Sequence, residues 1–122
     1  MNDVSPWLPD PAETLEVSPK SVAKWVHLPR TERPRLIDCR EHDELTICQI
    51  HGHEWLPLGL FSGAREILTT GNERGVVVYC HHGVRSLRAT NFLRAGGVKN
   101  AFSMSGGIEA WAQAIDIEMQ RY

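Results

Sequence analysis

The chain is 122 residues long, the size of one domain, with 42% hydrophobic and 23% charged residues, which excludes wholesale disorder and a fibrous repeat. Thirteen Lys+Arg against fifteen Asp+Glu leave a net charge of −2, so no basic surplus points to nucleic acid as a partner. The longest apolar run is too short to span a bilayer, and the opening MNDVSPWLPDP lacks the charged-then-apolar layout of a signal peptide, so the expected address is intracellular, in the cytoplasm, with no membrane partner.

Residues 1–14 carry Pro6, Pro9 and Pro11 without a periodic pattern. They read as an extended arm, leaving 15–122 as a single domain. Ser18-Pro19 is a cap followed by proline at the first helical position. Val22, Trp25 and Val26 fall on one face of that helix, and Pro29 stops it. Leu36-Ile37-Asp38-Cys39 is an apolar run ending in charge, a strand. Residues 41–47 predict a short helix, 53–58 an extended segment, and Ser62 caps a helix with Ala64, Ile67 and Leu68 on one face.

Val76-Val77-Val78-Tyr79 runs without alternation, as a central parallel strand buried on both faces does. A helix follows from about Ser86 to Ala95, with Ala89, Phe92 and Leu93 inward and Gly96-Gly97 at its end. Residues 100–104 make a last strand. Gly106-Gly107 open a helix with Ile108, Trp111, Ala112 and Ile115 on one face. Strands alternating with helices predict an α/β fold, a central, mostly parallel sheet flanked by helices on both faces.

Cys39, Cys48 and Cys80 make an odd count without CxxC spacing, so a disulfide framework is not expected. Active sites of open parallel sheets lie outside the carboxyl ends of the strands. Cys80 ends the most buried strand and is followed by His81, His82, Gly83, Val84, Arg85 and Ser86. Gly83 frees the backbone to curl, and curling turns N–H groups inward into an anion-binding nest. The next helix adds its positive end. That environment favours thiolate and makes Cys80 a nucleophile rather than an inert core thiol.

Four stretches, in order, resemble the rhodanese family over residues 16–115. They are Leu36 to Glu41 with its Asp-x-Arg ending; Glu44, then Ile50-His51-Gly52 through Leu56-Pro57-Leu58; the loop Val78 to Ser86; and Gly106-Gly107 with Trp111. The resemblance implies a rhodanese-like fold in which Cys80 takes the outer sulfur of a donor such as thiosulfate. The persulfide then passes its sulfur to an acceptor: cyanide, a thiol or another protein. It implies no cofactor and no metal. Residues 81–85 would form the substrate loop, with Asp38, Arg40, Glu44 and Ser86 in support.

Related phosphatases and arsenate reductases carry C-x5-R, whereas Cys80 and Arg85 here are separated by four residues, a narrower cradle that suits one sulfur atom. A low-turnover sulfur carrier or regulatory module is the alternative to a sulfurtransferase. Arg85 suits substrate contact or, with slight preference, an ion pair with Asp38 or Glu44 that pins the loop. Asp38 and Arg40, at a strand end, suit a structural pair or the pocket rim.

Ser86 reads as a helix-start residue. His81 and His82 stand where some thiosulfate enzymes carry lysine or arginine, so pH-dependent turnover of the thiosulfate dianion is expected. Cys48, His51 and His53 fit no common zinc spacing. Cys39, Trp25 and Trp111 read as core, and Trp7 and Trp55 as pocket lining or sheet cover. Arg85, Arg88 and Arg94 suggest a basic helix face.

Overall fold

The run Val76–Tyr79 is fully buried and forms the middle of a sheet. The computed structural model describes residues 5–69 and 74–122. The strands are β1 (Glu16–Val17), β2 (Arg35–Asp38), β3 (Glu54–Trp55), β4 (Val76–Tyr79) and β5 (Ala101–Met104). Their order is β1-β5-β4-β2-β3, and every pairing is parallel. The chain steps to one side from β2 to β3 and to the other from β4 to β5. The order therefore reverses between β2 and β4, and the crevice beyond their carboxyl ends is where ligands of such sheets bind.

The two-residue strand period sorts side chains to opposite faces. Leu36, Val77, Tyr79, Phe102 and Met104 face α1 (Pro19–Ala23) and α5 (Gly107–Ala114), packing with Val22, Trp25, Ile108 and Trp111. Ile37, Val76, Val78 and Ala101 face α3 (Arg65–Thr69) and α4 (Val84–Ala95), packing with Leu68, Ala89 and Leu93. The expected α/β layering is present, and the sheet is wholly parallel. Ser18 caps α1 as read, its Oγ accepting from Ser21 N–H at 3.1 Å.

Several local expectations change. The extended segment 53–58 shortens to β3, because the chain bends at Pro57 into a 3-10 turn over Leu58–Leu60. The short helix within 41–47 is α2 (His42–Leu45). Ala64 belongs to a 3-10 turn rather than to α3, so the helical phase shifts. Leu68 is buried, but Ile67 is 64% exposed instead of facing the core.

Helix α4 begins at Val84, two residues early, because Gly83 ends the loop in a left-handed conformation and its carbonyl accepts from Leu87 N–H. Phe92 is largely exposed and meets Phe61 edge-on. Strand β1 was not anticipated; Ser103 and Ser105 N–H groups hold its backbone at 2.8 Å each. In the arm, residues 1–4 lie outside the described residues, and 5–14 run through turns that press Trp7 and Leu8 onto the core. Arg94 ties this arm down, donating to Pro11 O and Thr14 O. Among the described residues, no helix is long and apolar enough to cross a membrane.

Candidate active site

Strand β4 delivers Cys80 to the crevice, and the left-handed Gly83 (φ 107°) folds the chain back over its sulfur. Gly83 N–H and Ser86 N–H donate to Cys80 Sγ at 3.1 and 3.3 Å. The Ser86 hydroxyl lies 3.5 Å from the sulfur, and Ser103 Oγ lies 2.7 Å behind it. The Cys39 thiol lies in the same buried cluster as Cys80. Hydrogen bonding from Cys39 is the largest influence on Cys80. With the Ser86 hydroxyl and the two N–H groups, it outweighs burial and holds the thiol down at about 4. That direction favours the ionised form of Cys80, the form that activated cysteines share.

Helix α5 clamps the loop from outside. Its first N–H groups, Ile108 and Glu109, donate to Cys80 O at 2.8 Å and His81 O at 3.1 Å. Such close approach requires Gly107 at φ +64°, where a Cβ would sit 2.3 Å from His81 O and 2.6 Å from Cys80 O. Gly107 is thus explained by contact with the loop, whereas a Cβ on Gly106, at φ +75°, would meet Ala110 Cβ at 2.6 Å.

The charged residues form a frame around the loop. Arg85 pairs with Glu44, Nη1 to Oε1 at 2.7 Å and Nη2 to Oε2 at 2.8 Å. Of the two partners expected for Arg85, Glu44 is the one it meets. The Arg85 guanidinium holds the Glu44 carboxyl down at about 2. Asp38 and Arg40, both fully buried, pair with each other, Nη2 to Oδ2 at 2.8 Å. Arg40 also donates to Cys48 O at 2.7 Å and to Tyr122 Oη at 2.8 Å, and that hydroxyl donates to Glu44 Oε2. With Arg85 committed to Glu44, and Arg94 to the arm and to Ala101 O, the three arginines of α4 do not share one basic face.

The His81 ring stacks between His82 (centroids 3.9 Å) and Tyr122 (3.8 Å). Burial, with His82 beside it, pushes the His81 pKa below the ordinary histidine value. Val84 is 72% exposed on the rim. His53 Nδ1 lies 2.8 Å from Ile50 O, and among the described residues no three His, Cys, Asp or Glu side chains are placed to hold a metal ion.

Cys39, Ser103 and Tyr122 were not singled out for the site by sequence reasoning. Cys39 and Ser103 had a readable signal: each lies at or beside the carboxyl end of a strand adjacent to β4. Tyr122 had none, since only the tertiary fold returns it to His81. Trp55 covers the sheet edge, its Nε1 donating to Arg40 O at 2.8 Å.

Comparison with known proteins agrees with this architecture. Residues 18–114 match the Rhodanese-like domain. The chain is 30% identical over 111 residues to the probable adenylyltransferase/sulfurtransferase MoeZ of Mycobacterium tuberculosis, covering 91% of this chain and 28% of MoeZ. It is 46% identical over 39 residues to the thiosulfate sulfurtransferase GlpE of Haemophilus influenzae, covering 32% of this chain and 37% of GlpE. The chain thus spans less than a third of MoeZ. The human single-domain sulfurtransferase TSTD1 has the same fold, with a TM-score of 0.66 at 22% identity over 83% of this chain and 97% of that one. A match running from the cap of α1 to the end of α5 makes this chain a member of the rhodanese-like domain family.

Proposed function

We propose that the protein is a sulfurtransferase that carries sulfane sulfur as a persulfide on Cys80. The observation that carries this reading is the pair of loop N–H groups, from Gly83 and Ser86, that converge on the Cys80 sulfur. The thiolate attacks the outer sulfur of the donor. A new S–S bond forms, and the donor's S–S bond breaks with its electron pair on the leaving group, sulfite if the donor is thiosulfate. A thiol, cyanide or protein acceptor then attacks the outer sulfur and returns Cys80 to thiolate. Splitting one displacement into two lowers each barrier. The C-x4-R loop supports sulfur rather than phosphate or arsenate chemistry, because the cradle closes over a single atom.

Intact mass after brief thiosulfate treatment tests this: wild type gains one sulfur, and Cys80→Ser gains none. A sulfur adduct that persists in Cys80→Ser removes Cys80 from the role.

A carrier-like variant of the same chemistry has its own support. Arg85 is occupied by Glu44, and burial disfavours charge on His81, so a dianionic donor finds little fixed positive charge at the loop. A protein-bound or low-molecular-weight persulfide suits the site better than thiosulfate does. In that case, single-turnover loading of Cys80 from a persulfide outpaces steady-state thiosulfate:cyanide turnover by a wide margin. Equal efficiencies argue for the thiosulfate enzyme.

A further inference from the structure

The cluster beneath the loop holds two sulfurs, and the chemistry above uses one. Strands β2 and β4 pair with Asp38 opposite Tyr79. Cys39 N–H donates to Tyr79 O at 3.0 Å, so the ladder continues one residue further and sets Cys39 beside Cys80. Neighbouring strands lie about 4.8 Å apart, and both side chains enter the same cluster. Each backbone is also pinned from its far side: Leu58 N–H donates to Cys39 O at 3.0 Å and Ile108 N–H to Cys80 O at 2.8 Å. The two residues are 0% and 1% exposed, and their shared cluster otherwise consists of apolar residues such as Ile37, Phe61, Val78 and Ala89. By register and in that cluster, the thiol set beside Cys39 is that of Cys80.

We propose that Cys39 is a built-in S–H donor to Cys80, a positioning residue that stabilises the reacting sulfur from the sheet side, opposite the loop's N–H groups. The inference rests on Cys80 being the sulfur that reacts. Two thiolates side by side in hydrocarbon repel, so the pair keeps one proton. Cys39 holds it, because the Gly83 and Ser86 N–H groups both donate to Cys80.

The consequence is unequal for the two halves of the reaction. During discharge, an acceptor thiolate forms a new bond to the outer sulfur. The bond between that sulfur and Cys80 Sγ breaks, leaving its electron pair on Sγ, where the Cys39 S–H receives it. A better-stabilised thiolate leaves faster. During loading, the same donor tempers Cys80 as a nucleophile, while keeping it ionised. Cys39 therefore favours sulfur release over sulfur capture.

The charged groups that act on the pair are Asp38 at the end of β2 and Arg85 on α4, with Arg40, Glu44, His81 and His82 in the frame around the loop. None changes in the following test. Reduced wild type, Cys39→Val, Cys39→Ala and Cys39→Ser are titrated by the pH dependence of Cys80 alkylation with iodoacetamide, the site being mapped by mass. Valine and alanine remove the donor, whereas serine restores one.

The expected result is a midpoint raised by about one pH unit or more, a tenfold change in the ionisation constant, in whichever apolar variant folds. Cys39→Ser recovers at least half of that shift. Discharge of preloaded persulfide to a thiol slows by about threefold in the apolar variants. An unchanged midpoint in Cys39→Val or Cys39→Ala, or equal shifts in the valine and serine variants, overturns the proposal. Absence of any sulfur adduct in wild type would instead defeat the sulfurtransferase reading, independently of the titration.

Discussion

Gly107 shows how much of the site depends on a missing side chain. Its Cα passes so close to the Cys80 and His81 carbonyls that a methyl group cannot be accommodated without moving the loop. Gly107→Ala is expected to lose about 2 kcal/mol of stability and to slow persulfide loading by tenfold to about a hundredfold, since small misplacements at a reacting centre are that costly. Urea unfolding and timed intact mass measure the two effects. Arg40 makes a different case. It is a fully buried cation whose partner, Asp38, is equally buried. Arg40→Met strands that carboxylate, and the expected loss is about 3–5 kcal/mol. Asp38→Leu combined with Arg40→Met recovers most of it, because the charge left behind, rather than the missing attraction, dominates the loss. Urea midpoints of the single and double variants decide the point.

Helix α2 is short, yet through Glu44 it joins three parts of the chain. One carboxylate accepts from its own capping N–H at Glu41, from Arg85 on α4 and from Tyr122. Its pKa of about 2, against the usual 4.5, makes the contribution pH-dependent. A depressed carboxyl stabilises the fold fully above 4.5 and loses that effect as pH falls through 2. The urea midpoints of wild type and Glu44→Gln are therefore expected to differ most near neutral pH and to converge towards about pH 2. A constant gap would detach the effect from ionisation.

Much at this scale was legible beforehand. The Ser18 cap, the β4 run and the left-handed Gly83 are local features, and local chemistry shows in local sequence. Strand β1, the solvent-facing Ile67 and the Tyr122 stack were not legible. The first is two residues stabilised by pairing, the second follows from a 3-10 entry that shifts helical phase, and the third is made by chain return. Cys39 lay between these cases: its burial was readable, but its neighbour emerges only from the register of β2 against β4.

Across the molecule, the parallel sheet places the carboxyl ends of its strands on one side, and the reversal between β2 and β4 puts Cys80 and Cys39 at the crevice it creates. The same order ranks local stability. β4 is covered on both faces and flanked by β2 and β5, whereas β1 and β3 are two-residue edges. Amide exchange is expected to be slowest in β4, opening only with the whole domain, and fast at β1 and β3 through local fraying. Uniform protection across the five strands would contradict this ranking. The brevity of those outer strands has another effect. A second chain approaching either border finds a ladder only two residues long, too little to template further strand addition. The folded protein therefore offers a poor seed for cross-β growth, and any fibril it forms has to recruit chains that have first unfolded.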